Sequence, residues 1–443
     1  MKHTLLIVAL SAMALVSCHR SGDCSIEKHV DYINRVQFSK TREQVADYIR
    51  GIYPEATDEQ IDAWTADGTL ESMEIDGELM YFNRTAPNLF LVDSLCRAVK
   101  LQKNPVTSQD ASDNMIINNI RSIRAESEES GRALAGEKRF RIRYTITVDA
   151  DAVPAGEKIR CWLPTPRENA RRNRNVNVIA TSQDKYRRSD IQAPRSSIYM
   201  EKEAVAGQPT VFWEEFEFSG FGEYHDLRGA KAAAYDKSSE LYKRYTAEQA
   251  PHIVFTDTLR ALSKRITAGK KNPIDKAAAI FKWVDDNFPW AGALNYSTID
   301  MIPEYVLDSG HGDCGQVTLL FMTLCRIAGI PCRWESGLVI TTSSWNMHDW
   351  CEAYFEGFGW VPIDQSAGVA PYGPEFSDLE WYYFGSTDSY RIIINNAWGR
   401  DLEPKKWYPH SDMVDFQLGE VEWKGGNLYF DKWDSDMEIT RLN

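Results

Sequence analysis

Gly310-His311-Gly312-Asp313-Cys314-Gly315 opens an apolar run in which Val317, Leu320, Phe321, Leu324 and Ile327 recur at helical spacing. Asp313 is a natural N-cap for that helix, and Gly329-Ile330-Pro331 is a natural stop. Cys314 therefore falls at or near the first helical position. Unpaired backbone amides and the positive end of the helix dipole lie there, and both stabilise a thiolate and lower its pKa. The same amides can stabilise an oxyanion during acyl transfer. A packing cysteine belongs in the middle of a helix on its apolar face, as Cys325 does.

Working outward, Trp334 to Ile340 reads as a strand, and a loop with Ser343, Ser344 and Asn346 follows. His348-Asp349-Trp350-Cys351-Glu352-Ala353-Tyr354-Phe355 reads as a second strand. Glu356-Gly357-Phe358-Gly359 turns the chain, and Trp360-Val361-Pro362-Ile363-Asp364 returns as a third. A lone histidine in a strand is structural more often than catalytic, and only the hairpin beyond it raises this one. Parity decides the point. A four-residue loop over 356–359 pairs Asp364 with Cys351, on the face opposite His348. An odd loop, Glu356 to Phe358 with a glycine bulge, pairs Asp364 with Trp350 and makes it the diagonal neighbour of His348. A Cys-His-Asp triad requires the odd register.

The text Gly312-Asp313-Cys314-Gly315, then Leu320-Phe321, then Leu324-Cys325-Arg326-Ile327-Ala328-Gly329-Ile330-Pro331-Cys332-Arg333, resembles the transglutaminase-like superfamily. His348-Asp349-Trp350 and Gly359-Trp360-Val361-Pro362-Ile363-Asp364 continue it. The resemblance covers roughly residues 240 to 390 and is strongest over 310–365. It implies a papain-like core in which Cys314 is the nucleophile, His348 the general base and then acid, and Asp364 the group that orients the imidazole. Relatives supplement the oxyanion hole with an upstream side chain, for which Trp290, Asn295 and Tyr296 are all candidates.

The 443 residues are too many for one hydrophobic core. The expected fold is α+β, a papain/transglutaminase-like catalytic core preceded by a β-sandwich domain and an N-terminal mainly helical domain. Residues 18–130 read as helices, with Gly77 to Phe82 a strand among them, Gly51 stopping one helix, and a Glu-, Ser- and Gly-rich linker over Ser127 to Gly136. Residues 131–222 alternate apolar and polar as strands, from Phe140, Ile142, Tyr144, Ile146 and Val148 to the run Val211 to Phe218. Such a β-domain also often precedes the core in bacterial members of the family. The catalytic core is expected over 223–390, led in by a helix capped at Asn272-Pro273. An aromatic-rich C-terminal extension, 391–443, is expected to pack on the core. Its alternative is a sugar-binding groove.

At the start of the chain, Met1-Lys2-His3 is basic and Thr4 to Val16 is apolar but short for a membrane span. Leu15-Val16-Ser17-Cys18 resembles the lipobox of bacterial lipoproteins. That resemblance implies a signal peptide over 1–17, lipidation at Cys18, and export to an outer membrane with the body facing the periplasm. The next residues, His19, Arg20 and Ser21, agree with that sorting. Seven cysteines remain after Cys18, an odd number, so at least one thiol is free or bonded between molecules. Cys325, Cys332, His348 and Cys351 fit no common zinc spacing, and no cofactor motif is present.

A formal charge of -14 argues against nucleic acid. The arginines from Arg167 through Arg171, Arg172 and Arg174 to Arg187 and Arg188 read as a solvated loop face. The resemblance implies an amide or peptide hydrolase working through a cysteine thioester, on a peptide, protein or glycopeptide. Alternatives are glutamine acyl transfer, a glycopeptide amidase, and a binding lipoprotein that kept the fold.

Overall fold

A computed structural model of the chain describes residues 26–103, 111–341 and 344–443. Alternation builds the sandwich. In the strand Leu134–Val148, Phe140, Ile142, Tyr144, Ile146 and Val148 are fully buried, while the residues between them keep contact with water. Each such burial stabilises the fold by about 1.5–3 kcal/mol relative to exposure. One sheet has the order Trp433–Arg441, Leu134–Val148, Thr210–Glu223, Asn173–Thr181. The facing sheet runs Gly426–Leu428, Glu420–Trp423, Lys158–Pro164, Ser197–Glu203, Arg187–Arg188. Phe212, Phe216, Trp162, Met200 and Val421 meet in the core between them.

The second core belongs to the helix Cys314–Ile327 and an antiparallel sheet. The sheet order is Gly359–Ile363, Trp345–Phe355, Cys332–Ile340, Arg391–Asn395. Every residue from Gly315 to Arg326 is buried, because Pro273–Asn287 and Asp257–Ile266 cover the helix faces that the sheet leaves open. The helix Pro273–Asn287 starts with Asn272 at the N-cap and proline in its first turn, as expected. Gly337 lies opposite His348 at a register shift, and a Cβ there would overlap the Ile392 carbonyl. Gly337→Ala is therefore expected to cost about 1–3 kcal/mol of stability, read as a lower urea midpoint, by forcing two strands apart.

The N-terminal helices carry reciprocal caps at Thr41 with Gln44 and at Thr57 with Gln60. The first of these helices runs through Gly51 to Ile52, one of the structure's departures from expectation. The hairpin Ser72–Ile75 with Glu78–Phe82 stands among them. This region is stitched to the core: Asn88 exchanges two hydrogen bonds with the backbone of Gly292, at 2.8 and 2.9 Å. Gln37 accepts from the Asn295 amide at 2.9 Å.

Three other expectations need correction. Ser127 to Ser130 is not linker but the end of the helix Ala111–Ser130, whose buried Ile117, Ile120 and Ile123 outweigh its polar composition. The C-terminal extension does not simply pack on the core. Arg391–Asn395 is an edge strand of the core sheet itself. Glu420–Trp423 and Trp433–Arg441 then satisfy the open edges of the two sandwich sheets, with Trp433 opposite Val148 and Arg441 opposite Phe140.

The arginine stretch is a solvated face only in part, at the exposed Arg171, Arg174 and Arg187. Arg167 and Arg172 are buried. Arg172 Nη1 bonds Glu223 and Glu352, each at 2.9 Å, and Nη2 bonds Glu335. Arg171 joins the same carboxylates at 2.7 and 3.2 Å. Glu223 belongs to the sandwich, Glu335 and Glu352 to the core sheet, so these charges pin one unit on the other.

Candidate active site

Cys314 is the first residue of its helix, as the N-cap signal predicts. Asp313 accepts from the Gln316 amide at 3.1 Å and Gln316 returns the bond to the Asp313 amide at 3.2 Å. The thiol is half-buried, and it donates to Asp349 Oδ2 at 3.5 Å. Its ionisation departs from the expectation. Burial, then the charges of Asp349 and Asp313, push the Cys314 thiol well above its ordinary pKa. The helix terminus favours the thiolate, but burial, Asp349 from the neighbouring strand and Asp313 at the helix's own N-cap act against it.

The hairpin has the odd register. Phe355 pairs Gly359, Ala353 pairs Val361 and Cys351 pairs Ile363, leaving the three-residue loop 356–358. Gly357 at φ 95° and Gly359 at φ 81° supply the left-handed backbone that such a loop needs. One step further along that register Asp364 falls opposite Trp350. His348 Nε2 lies 2.6 Å from Asp364 Oδ2. The imidazole also stacks on Trp350, with ring centres 5.8 Å apart.

Asp364 is buried, and the oxygen that meets His348 also meets an arginine. Arg391 Nη1 lies 2.7 Å from Asp364 Oδ2, and Arg391 Nε donates to Asp388 Oδ2 at 3.0 Å. Ser366 donates to Asp364 Oδ1 at 3.1 Å. Burial alone would raise the Asp364 carboxyl, but the charges of His348 and Arg391 outweigh it and keep it far below the usual carboxylate range. The carboxylate thus stays ionised and can hold one imidazole tautomer.

Cys314 and His348 line one cavity of about 530 Å³. Three parts of the chain form its walls: Phe82 and Arg84 from the N-terminal region, Trp290 and Tyr296 from the core, and Asp412 to Phe430 from the C-terminal extension. All three oxyanion candidates line the cavity, but the Asn295 side-chain amide is engaged, donating to Ser411 O and the Tyr429 hydroxyl. Trp290 lines the cavity half-exposed. Tyr296 is buried beside Gly315 and donates to Asp313 and, at 3.4 Å, to Asp349.

Residues 260–365 match the sequence model of the Transglutaminase-like superfamily. The chain carries a transglutaminase-like domain. Two curated relatives overlap it. An uncharacterized protein of Haemophilus influenzae is 28% identical over 188 residues, 35% of this chain and 50% of that one. YebA of Bacillus subtilis, also uncharacterized, is 24% identical over 135 residues, 25% of this chain and 18% of its own. The chain thus spans half or less of the curated relatives it matches. Among solved structures, a candidate cysteine protease from Cytophaga hutchinsonii aligns with 70% of this chain and 92% of its own, at 14% identity and a TM-score of 0.47.

The transglutaminase-like domain does not contain its whole site. Arg391, Asp388, Asp415 and Gln417 lie beyond residue 365, and sequence reasoning assigned none of them a role. Gln417 Nε2 donates to His348 O and Gly337 O, both at 3.0 Å, and to Asp349 Oδ1 at 2.8 Å. Cys325, Cys332 and Cys351 are buried free thiols in the core of the domain. Cys18 and the lipobox lie outside the described residues.

Proposed function

We propose that the protein is a thiol-dependent amide or peptide hydrolase of the transglutaminase-like type. The observation that carries this reading is the 2.6 Å contact of buried Asp364 with His348, which lines the cavity into which the Cys314 helix opens. Cys314 attacks an amide carbonyl as His348 takes the thiol proton. The imidazolium then protonates the leaving amine, and a thioester remains on Cys314. Water, deprotonated by His348, attacks the thioester, releases the acid and restores the thiol. Asp364 keeps Nε2 occupied throughout, so the other ring nitrogen, Nδ1, carries the proton traffic. The backbone amide of Cys314 at the start of its helix, with Tyr296 beside it, suits the developing oxyanion.

The body is proposed to act at the cell envelope, exported and lipid-anchored through Cys18 at the outer membrane, facing the periplasm. No helix among the described residues is long and apolar enough to cross a membrane.

The test is labelling with an electrophilic amide-like probe, followed by a mass-spectrometric screen of envelope peptides, peptidoglycan stems and glycopeptides. Labelling of Cys314 that disappears in His348→Ala, together with a hydrolysed product, supports the reading. Labelling indifferent to His348 sinks it. A product joined to an added amine identifies transfer instead.

A further inference from the structure

Arg84 is the one lysine or arginine that lines the catalytic cavity, and the proposed mechanism does not use it. Among the described residues, no carboxyl or carbonyl accepts from its guanidinium. The acidic groups of the lining, Asp313, Asp349, Asp412, Asp415 and Glu420, offer a substrate anion no cation. A negatively charged group that enters this cavity therefore has one arginine or lysine to meet.

The arginine is seated on fixed backbone. It follows the strand Glu78–Phe82 and lies against Gly292 of the core, where a Cβ would overlap the guanidinium. Asn88, one turn along the helix Thr85–Val92, holds the Gly292 backbone through its bonds of 2.8 and 2.9 Å. The Asn83 amide donates to Gln37 O at 2.8 Å, and Gln37 Oε1 receives the Asn295 amide at 2.9 Å. The wall that carries Arg84 is thus tied to the core on both sides of it. No side chain caps the helix Thr85–Val92, so its positive end favours the same charge.

We propose that Arg84 is a specificity-determining residue that binds a carboxylate of the substrate inside the cavity. This rests on the hydrolase reading, which supplies the anion: a peptide's own anions are its C-terminal carboxylate and those of its Asp and Glu side chains. A guanidinium presents N–H donors in one plane, matched to the two oxygens of a carboxylate. The cavity of about 530 Å³ falls within the range of roughly 300–1,000 Å³ that encloses small ligands. The scissile amide and the anchoring carboxylate therefore belong to one short segment. On this assignment the N-terminal helical region is part of the substrate site.

The test labels Cys314 in the full chain with bromoacetyl peptides of one to three glycines, each made with a free C-terminal carboxylate and as the neutral carboxamide. A second pair carries Glu or Gln before an amidated C-terminus, which separates the side-chain source of the carboxylate from the terminal one. Rates are read from the mass of the Cys314 peptide. Each acid is divided by its own amide, so a general change in the thiol cancels. At the length that reaches Arg84, the acid is expected to label about tenfold faster, the effect of one charge-assisted hydrogen bond. The preference is expected to vanish in Arg84→Gln and to survive in part in Arg84→Lys, which keeps the charge without the fork. Gly292→Ala keeps the arginine but displaces it, and is expected to lower the ratio as well. Equal rates for acid and amide in every pair, or a preference that persists in Arg84→Gln, overturn the proposal. Equal rates that still require His348 overturn it alone and leave the hydrolase reading standing. A carboxylate preference in labelling indifferent to His348 sinks that reading and leaves the carboxylate site.

Discussion

Cys314→Ala is expected to reduce amide hydrolysis to the background, a fall on the order of 10⁵–10⁶ in kcat, with no acyl-enzyme detectable by intact mass. The size follows from the mechanism, because without sulfur no thioester forms and the cavity retains only its oxyanion donors and binding contacts. His348→Ala is expected to reach nearly the same floor, since a thiol held up by burial and by Asp349 is scarcely ionised at neutral pH without a base. The double variant then falls no further than either single one, because the two groups perform one step. Asp364→Ala should fall less, on the order of 10²–10⁴, as the imidazole remains and only its orientation and tautomer are lost. A double variant markedly slower than both single ones would mean that Cys314 and His348 act independently.

Arg172→Met is expected to destabilise the protein by about 3–5 kcal/mol at neutral pH without touching the cavity. The arginine is buried among Glu223, Glu335 and Glu352, and its removal leaves Arg171 and Arg333 to compensate three carboxylates. Against a typical stability of about 5–15 kcal/mol this is a large fraction. The sign of the pH dependence can be worked out from Glu223. Burial raises its carboxyl, but the His225 hydrogen bond and the charges of Arg172 and Arg171 prevail and lower it to about 2. An unfolded glutamate titrates near ~4.3. Its contribution is therefore complete above about pH 5 and is lost as the pH falls toward 2. The difference between wild type and Arg172→Met in urea unfolding should be widest at pH 7 and should narrow below about pH 4. An equal difference at pH 7 and pH 3 would show that packing, not charge, sets the loss.

These two regions mark how far the sequence could be read. The Cys314 helix was legible because its determinants are local: a capping aspartate, an apolar stripe and a glycine stop within twenty residues of one another. The hairpin was legible up to its parity, which depends on the left-handed backbone at Gly357 and Gly359 and is a property of three loop residues. The thiol's environment was not. A helix terminus announces itself in sequence, but Asp349 reaches it from a strand and Gln417 reaches Asp349 from the tail. Arg172 likewise looked solvated in its polar stretch, since the carboxylates that bury it come from strands 51 to 180 residues away. Arg391 meets Asp364 for the same reason, carried there by an edge strand expected to belong to the tail.

The three-residue loop 356–358 carries a consequence for how this chain can drift over generations. Exchanging Glu356 or Phe358 for another residue leaves the count of the hairpin unchanged, and with it the face on which Asp364 emerges. Gaining or losing a single codon there does something different in kind. Every side chain from Trp360 onward changes face, Val361 and Ile363 leave the core, and Asp364 turns from the imidazole toward the helix. The loop is thus free in spelling and fixed in length. Two codons together restore the parity, so viable length variants should step by twos.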